Sequence, residues 1–193
     1  MDRVKLKSTY LDRMSDDEFY HFCEEHEGLR IERSSNLEIF IMSPTGSLSG
    51  NLEQIIGGEL FIWNQENKTG VTFSSSTGFT LPDRTVFSPD ASWVSLEKWN
   101  AIPFELKEKF APVCPEFVVE LMSKNDDIQN LQKKMTVWMK NGSQLGWLIN
   151  PYNEEVYIYN AEGQTSVVKG FDNILSGEPV LPKFSFYLKE LKL

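Results

Sequence analysis

Three side chains in this sequence have the types and intervals that could act on a phosphate through a divalent metal: Asp90, Glu120 and Lys134. Asp90 follows Pro89 and precedes the short apolar run of Trp93-Val94, and Glu120 lies inside Phe117-Val118-Val119-Glu120-Leu121-Met122. Lys134 belongs to a helical pattern further along. Two hard carboxylate oxygens on adjacent strands can hold Mg²⁺, which needs only one or two protein carboxylates beside water and phosphate oxygens. A lysine next to them can orient or deprotonate the attacking water. Histidine chemistry has little to build on, because His21 and His26 are five apart and do not share a helix face. Cys23 and Cys114 are far apart and form no CxxC pair, which reads as a reduced, cytosolic chain.

The elements that must position these residues can be read from periodicity. Ser15 and Glu18 form a capping-box pattern that opens a helix over residues 16–26, and Gly28 stops it. Alternating runs at 29–33 and 37–42 predict a hairpin with one face buried. Leu48, Leu52, Ile55, Ile56, Leu60 and Trp63 recur at helical spacing, so a long helix is expected over 47–67, with Gly57-Gly58 marking a kink or a close contact. Residues 71–94 read as several short strands, and a short helix is expected near 104–110. A buried strand at 117–122, a helix over 126–140, a strand at 145–149 and a hairpin at 155–159 and 165–168 complete the order. This is an α/β pattern, a mixed β-sheet flanked by helices, in one domain over residues 1–193. Within it, 1–30 form an N-terminal helical extension and 31–193 the core. No GxGxxG or GxxxxGK[ST] loop is present to cradle a nucleotide.

Helix geometry separates two neighbouring lysines. With Leu131 at the centre of the buried stripe, Ile128, Met135 and Trp138 fall within about 60° of it, Lys134 at about −60° and Lys133 at about 200°. Lys134 therefore flanks the buried face and Lys133 points to water. Structural roles compete for each residue: Asp90 as a turn acid, Glu120 as a buried ion-pair partner, Lys134 as a snorkelling stripe edge.

A family resemblance covers residues 32–191. The strings Ile41-Met42-Ser43-Pro44-Thr45-Gly46, Gly78-Phe79-Thr80-Leu81-Pro82, Ser88-Pro89-Asp90-Ala91-Ser92-Trp93-Val94, Pro115-Glu116-Phe117-Val118-Val119-Glu120-Leu121, Leu131-Gln132-Lys133-Lys134-Met135 and Gly146-Trp147-Leu148-Ile149-Asn150-Pro151 occur in matching order. Together they resemble the Uma-type putative restriction-endonuclease family, which is abundant in cyanobacteria and similar to the PD-(D/E)XK nucleases. The resemblance implies a restriction-endonuclease-like core, a site that cleaves phosphodiesters with Mg²⁺ or Mn²⁺, DNA as substrate, and a homodimer. Pro89-Asp90 matches the PD element and Glu120 the (D/E). Met122 stands at the superfamily's usual lysine position, and Lys134 matches the position from which the related family supplies that lysine. Asp90 and Glu120 would bind the metal, with the Leu121 carbonyl as a further ligand. Glu53 or Glu59 could be the extra acid that the long helix sometimes supplies. Family members commonly read Ser-Pro-Ser after the Glu motif, where this chain has Ser123-Lys124-Asn125; Ser123 is kept and Lys124 offers a phosphate contact.

The formal net charge is −9, with 28 acids against 19 bases. That excludes coating of nucleic acid by bulk charge. The excess is mostly N-terminal: residues 1–60 carry 12 acids and 6 bases, whereas residues 101–140, which hold Glu120, Lys124 and Lys134, carry six of each. DNA affinity should then be weak and metal-dependent. No apolar stretch approaches a membrane span, and the chain starts without an apolar leader, so a cytoplasmic protein is expected. Two other classes fit less: a catalytically silent nuclease-like fold acting as a dimeric binding or regulatory module, favoured by Met122, and a small-ligand binder using Trp93, Trp99, Trp138 or Trp147.

Overall fold

A computed structural model of the chain describes residues 3–6 and 13–193. In chain order, its first elements are β1 (Arg3–Leu6), α1 (Asp16–Glu24), β2 (Arg30–Arg33), β3 (Ile39–Met42) and α2 (Ser47–Asn67). Next come the short strands β4 (Gly70–Phe73), β5 (Phe79–Thr80), β6 (Val86–Phe87) and β7 (Ala91–Ser95), then α3 (Leu96–Ala101) and α4 (Phe104–Lys107). The last part holds β8 (Phe117–Leu121), α5 (Ile128–Lys140), β9 (Leu145–Asn150), β10 (Glu155–Asn160), β11 (Thr165–Lys169), β12 (Ile174–Ser176) and β13 (Ser185–Tyr187).

These strands form a six-stranded sheet in the order β11-β10-β9-β8-β7-β4, a five-stranded sheet in the order β1-β3-β2-β6-β5, and the β12-β13 pair. Within the six-stranded sheet only β8 and β9 run parallel, and α5 is the crossover between them; the other pairs are antiparallel. Period-2 alternation sends β8 side chains to two different cores. Phe117, Val119 and Leu121 pack with Leu52, Ile56, Leu60 and Trp63 of α2, while Val118 packs with Met135 and Trp138 of α5. The sheet is therefore covered on both faces, which is why β8 and β9 read as near-continuous apolar runs.

Local chemistry sets the helix positions. The Ser15–Glu18 capping box is formed, with the Glu18 amide donating to Ser15 Oγ at 3.2 Å and the Ser15 amide to Glu18 Oε2 at 2.7 Å. Asp127 caps α5 by accepting from the Gln129 amide at 2.7 Å, so the helix starts at Ile128 and not at 126. α5 packs on β9 at Gly146, whose missing side chain leaves room for the Met135 methyl.

Several elements depart from the sequence reading. The hairpin strands β2 and β3 leave the main sheet and join β1, β5 and β6; β1, α3 and the β12-β13 pair were not expected at all. Residues 1–30 thus contribute a strand as well as the expected helix. The helix α2 runs through Gly57-Gly58 unbroken, and among the described residues nothing lies within 4 Å of a Cβ built at either, so none of them makes the expected close contact. Trp93, Trp138 and Trp147 are buried in the cores and Trp99 packs against one of them, which uses these rings for packing and removes the support for a tryptophan-lined ligand site.

Candidate functional site

The C-terminal end of β8, the residue before β7 and the middle of α5 meet in a cleft of about 770 Å³, and Asp90, Glu120 and Lys134 all line it. Asp90 is fixed against β8 twice: its amide donates to the Val119 carbonyl at 2.9 Å, and its Oδ2 accepts from the Leu121 amide at 2.7 Å. Glu120 points to the α5 side of the sheet and is 2% exposed. Its Oε1 accepts from Trp138 Nε1 at 2.8 Å and lies 3.0 Å from Lys134 Nζ. Lys134 is one helical turn from Trp138, so the residue that flanks the apolar stripe and the one that closes it reach the same carboxylate. Lys133, as its angle predicted, is exposed.

Two residues of the five-stranded sheet complete the site, and periodicity alone did not single them out. Glu32 on β2 is fully buried; its Oε1 lies 2.9 Å from Lys134 Nζ and accepts from the Ser88 amide at 3.2 Å. Arg30, two residues earlier on the same strand face, lies 3.6 Å from Asp90 Oδ1 and donates to the Ser88 carbonyl at 3.3 Å. Lys134 Nζ also donates to that carbonyl at 3.1 Å. The alternation of residues 29–33 sets Arg30 and Glu32 on the polar face, opposite Leu29 and Ile31, so the sequence carried no sign that Glu32 would be buried.

The remaining candidates separate. Glu53 lines the cleft, whereas Glu59, six residues on and so about 240° round the helix, is exposed and does not. Leu121, Ser123 and Lys124 line the cleft too. The Ser123 hydroxyl and amide both donate to Asp126 Oδ2 at 2.7 Å, which ties this side chain to its own loop. Met122 is half-buried and not part of the lining.

Carboxylates outnumber cations in this cleft, and the titration behaviour follows. Burial pushes the Glu120 carboxyl up to about 7; Lys134 and the Trp138 N–H oppose this, while the negative charges of Asp90 and Glu32 add to it. Glu53 is raised by burial and then by the Asp90 charge. Burial pulls the Lys134 ammonium down, but Glu120, Glu32 and Asp90 together outweigh it, so its pKa is raised and it stays protonated. Among the described residues no group of three or more acids, histidines or cysteines forms a ready-made metal cage. The donors nevertheless fit a hard cation that keeps water or phosphate in its shell: oxygens of Asp90 and Glu120, repelled by each other, with Glu53 in the same cleft.

A family model described as Uma2, putative restriction endonuclease, matches residues 16–189. Among solved structures, a putative nuclease belonging to DUF820 from Anabaena variabilis is similar in fold, with a TM-score of 0.70 and 21% identity over 93% of this chain and 97% of that one. No curated protein matches.

Proposed function

The chain belongs to the Uma2 putative restriction endonuclease family, and on that premise we propose that it hydrolyses DNA phosphodiester bonds with Mg²⁺ or Mn²⁺ held by Asp90 and Glu120. The observation that carries this reading is the buried Lys134 ammonium, 3.0 Å from Glu120 and 2.9 Å from Glu32, in the cleft that Asp90 also lines. The Leu121 carbonyl and Glu53 are the further oxygens available to the ion. When bound, the metal would neutralise charge developing on the phosphate and lower the pKa of a water. Asp90 is held for this by the Leu121 amide and Glu120 by the Trp138 N–H. Lys134, already protonated, cannot take a proton from the water. Of the two roles open to it in the sequence, it keeps orientation of the nucleophile and stabilisation of charge on the phosphoryl oxygens. Glu32 acts through Lys134 as a positioning residue. A homodimer in the cytoplasm is part of this reading; sedimentation tests the dimer.

The test is incubation of supercoiled, linear and single-stranded DNA with Mg²⁺ or Mn²⁺, comparing wild type with Asp90→Asn, Glu120→Gln and Lys134→Met. Cleavage by the wild type should fall at least a hundredfold in each variant. No cleavage of any substrate, or cleavage that survives all three changes, refutes it. One observation favours the alternative of a silent binding module: Met122 occupies the usual lysine position. A silent fold should give no metal-induced thermal shift that Glu120→Gln removes.

A further inference from the structure

Six carboxylates and three cations line the cleft. Two of the cations are committed, Arg30 to Asp90 and Lys134 to Glu32 and Glu120. Lys124, exposed, is the only lining cation without an ion-pair partner among the described residues. A rigid duplex brings one charge per ~1.7 Å of helix axis against such a mouth, and its affinity depends on releasing counterions to many lysines and arginines. This cleft does not supply them. Binding of an unpaired strand adds to its phosphate contacts the stacking of bases on aromatic faces, a contribution that a paired duplex, with its bases already stacked, cannot make.

The cleft has such a face. Tyr152, 39% exposed, follows β9 and lines the cleft with Leu121 and Ser123 at the end of β8. β8 and β9 are the parallel pair, in register from Phe117↔Leu145 to Leu121↔Ile149, and the Met122 amide donates to the Ile149 carbonyl at 2.8 Å. The carboxyl ends of both strands therefore open side by side, the place where α/β sheets bind ligands. The Tyr152 ring is carried on a fixed turn: buried Asn150 accepts through Oδ1 from the Tyr152 amide at 3.1 Å and the Asn153 amide at 3.3 Å. Among the described residues the Tyr152 hydroxyl makes no hydrogen bond and the ring has no aromatic or cationic partner. Leu48, 50% exposed in the first turn of α2, adds an apolar surface to the same lining.

Building on the nuclease reading above, we propose that the substrate is unpaired DNA, with a base next to the scissile phosphate stacked on Tyr152 and a neighbouring phosphate met by Lys124. Tyr152 and Lys124 are then substrate-positioning residues, the exposed part of the ring being the surface on which the base stacks.

Fluorescence anisotropy of a labelled single strand and of a hairpin duplex of related sequence, in Ca²⁺ to limit turnover, tests this on the full chain. The single strand should bind at least tenfold more tightly than the duplex. Tyr152→Ala should weaken single-strand binding about tenfold, the scale of one base–aromatic stack, while Tyr152→Phe retains it. Lys124→Met should lower the salt slope by about one. Equal or tighter binding of the duplex, no binding of either DNA, or a Tyr152→Ala variant that binds like wild type would overturn the proposal. Failures of the two readings are separable. Tyr152-dependent strand binding with no metal-dependent cleavage sinks hydrolysis alone, and Asp90-dependent cleavage indifferent to Tyr152 sinks stacking alone.

Discussion

Replacing Glu120 with glutamine should stabilise the metal-free protein, although the side chain is buried and ion-paired. The unfolded chain ionises this carboxyl near the ordinary value of 4.5, whereas the folded protein holds its proton up to about 7. Between those values the native state binds more protons than the unfolded state, so stability falls as pH rises through the window. A difference of that size amounts to about 3 kcal/mol, fully present by pH 8. Glutamine mimics the neutral acid in shape and still accepts from Trp138 through its carbonyl oxygen, while Lys134 keeps Glu32 at 2.9 Å. The variant should therefore exceed wild type by about 1 kcal/mol at pH 5 and about 3 kcal/mol at pH 8. Urea unfolding in EDTA at the two pH values measures this directly. A Glu120→Gln protein less stable than wild type at pH 8 would show that the ion pair with Lys134 outweighs the burial of Glu120, and the account of the site as one with excess carboxylate would be wrong.

Under the proposed function the same proton would compete with the metal. Mg²⁺ or Mn²⁺ affinity, read by calorimetry, should rise about tenfold per pH unit below 7 and level off above it; a flat profile from pH 6 to 8 would exclude Glu120 as a ligand. Lys134→Met leaves Glu120 and Glu32 buried without their shared ammonium and should cost about 3–5 kcal/mol at neutral pH, against about 0.5 kcal/mol or less for exposed Lys133→Met, both measured by urea unfolding. Adding Met122→Lys to Lys134→Met should not restore cleavage, because Met122 is not part of the cleft lining and Lys134 owes its place to Glu32 as much as to Glu120; full recovery would count against the role given to Glu32.

What could be read from the sequence is what depends on short-range periodicity. The two long helices and strands β7, β8 and β9 follow from apolar spacing, and the angle of Lys134 beside the Met135–Trp138 stripe places it on the inward side of α5, where it is 10% exposed. Residue type and interval had already grouped Asp90 and Glu120 with Lys134, and the family resemblance matched the same positions. What escaped were long-range pairings. The alternation of residues 29–33 and 37–42 gave the β2–β3 hairpin, but nothing in it says that β2 will also pair with β6 and turn Glu32 toward α5, more than a hundred residues away. Arg30 was missed for the same reason, since its partners Asp90 and Ser88 come from the segment before β7. The glycine pair in α2 misled because a helix interior tolerates glycine at about 1 kcal/mol each relative to alanine, without any need for a kink or a contact.

The charge balance then acquires a direction. With six carboxylates and three cations, the cleft disfavours a bare phosphodiester, and under the proposed function a divalent ion would first have to displace the proton that Glu120 holds up to about 7. Under the proposed function, metal binding therefore precedes productive DNA binding and conditions it. The lysine cannot substitute for the ion, because its charge is already shared between two buried carboxylates. Having Lys134 on α5 and not on a strand has a structural effect. It links the Glu120 side of the six-stranded sheet to the Glu32 side of the five-stranded sheet, so the site exists only where the two sheets meet. A substitution in β2 that leaves the main core intact should for that reason still disorganise Lys134.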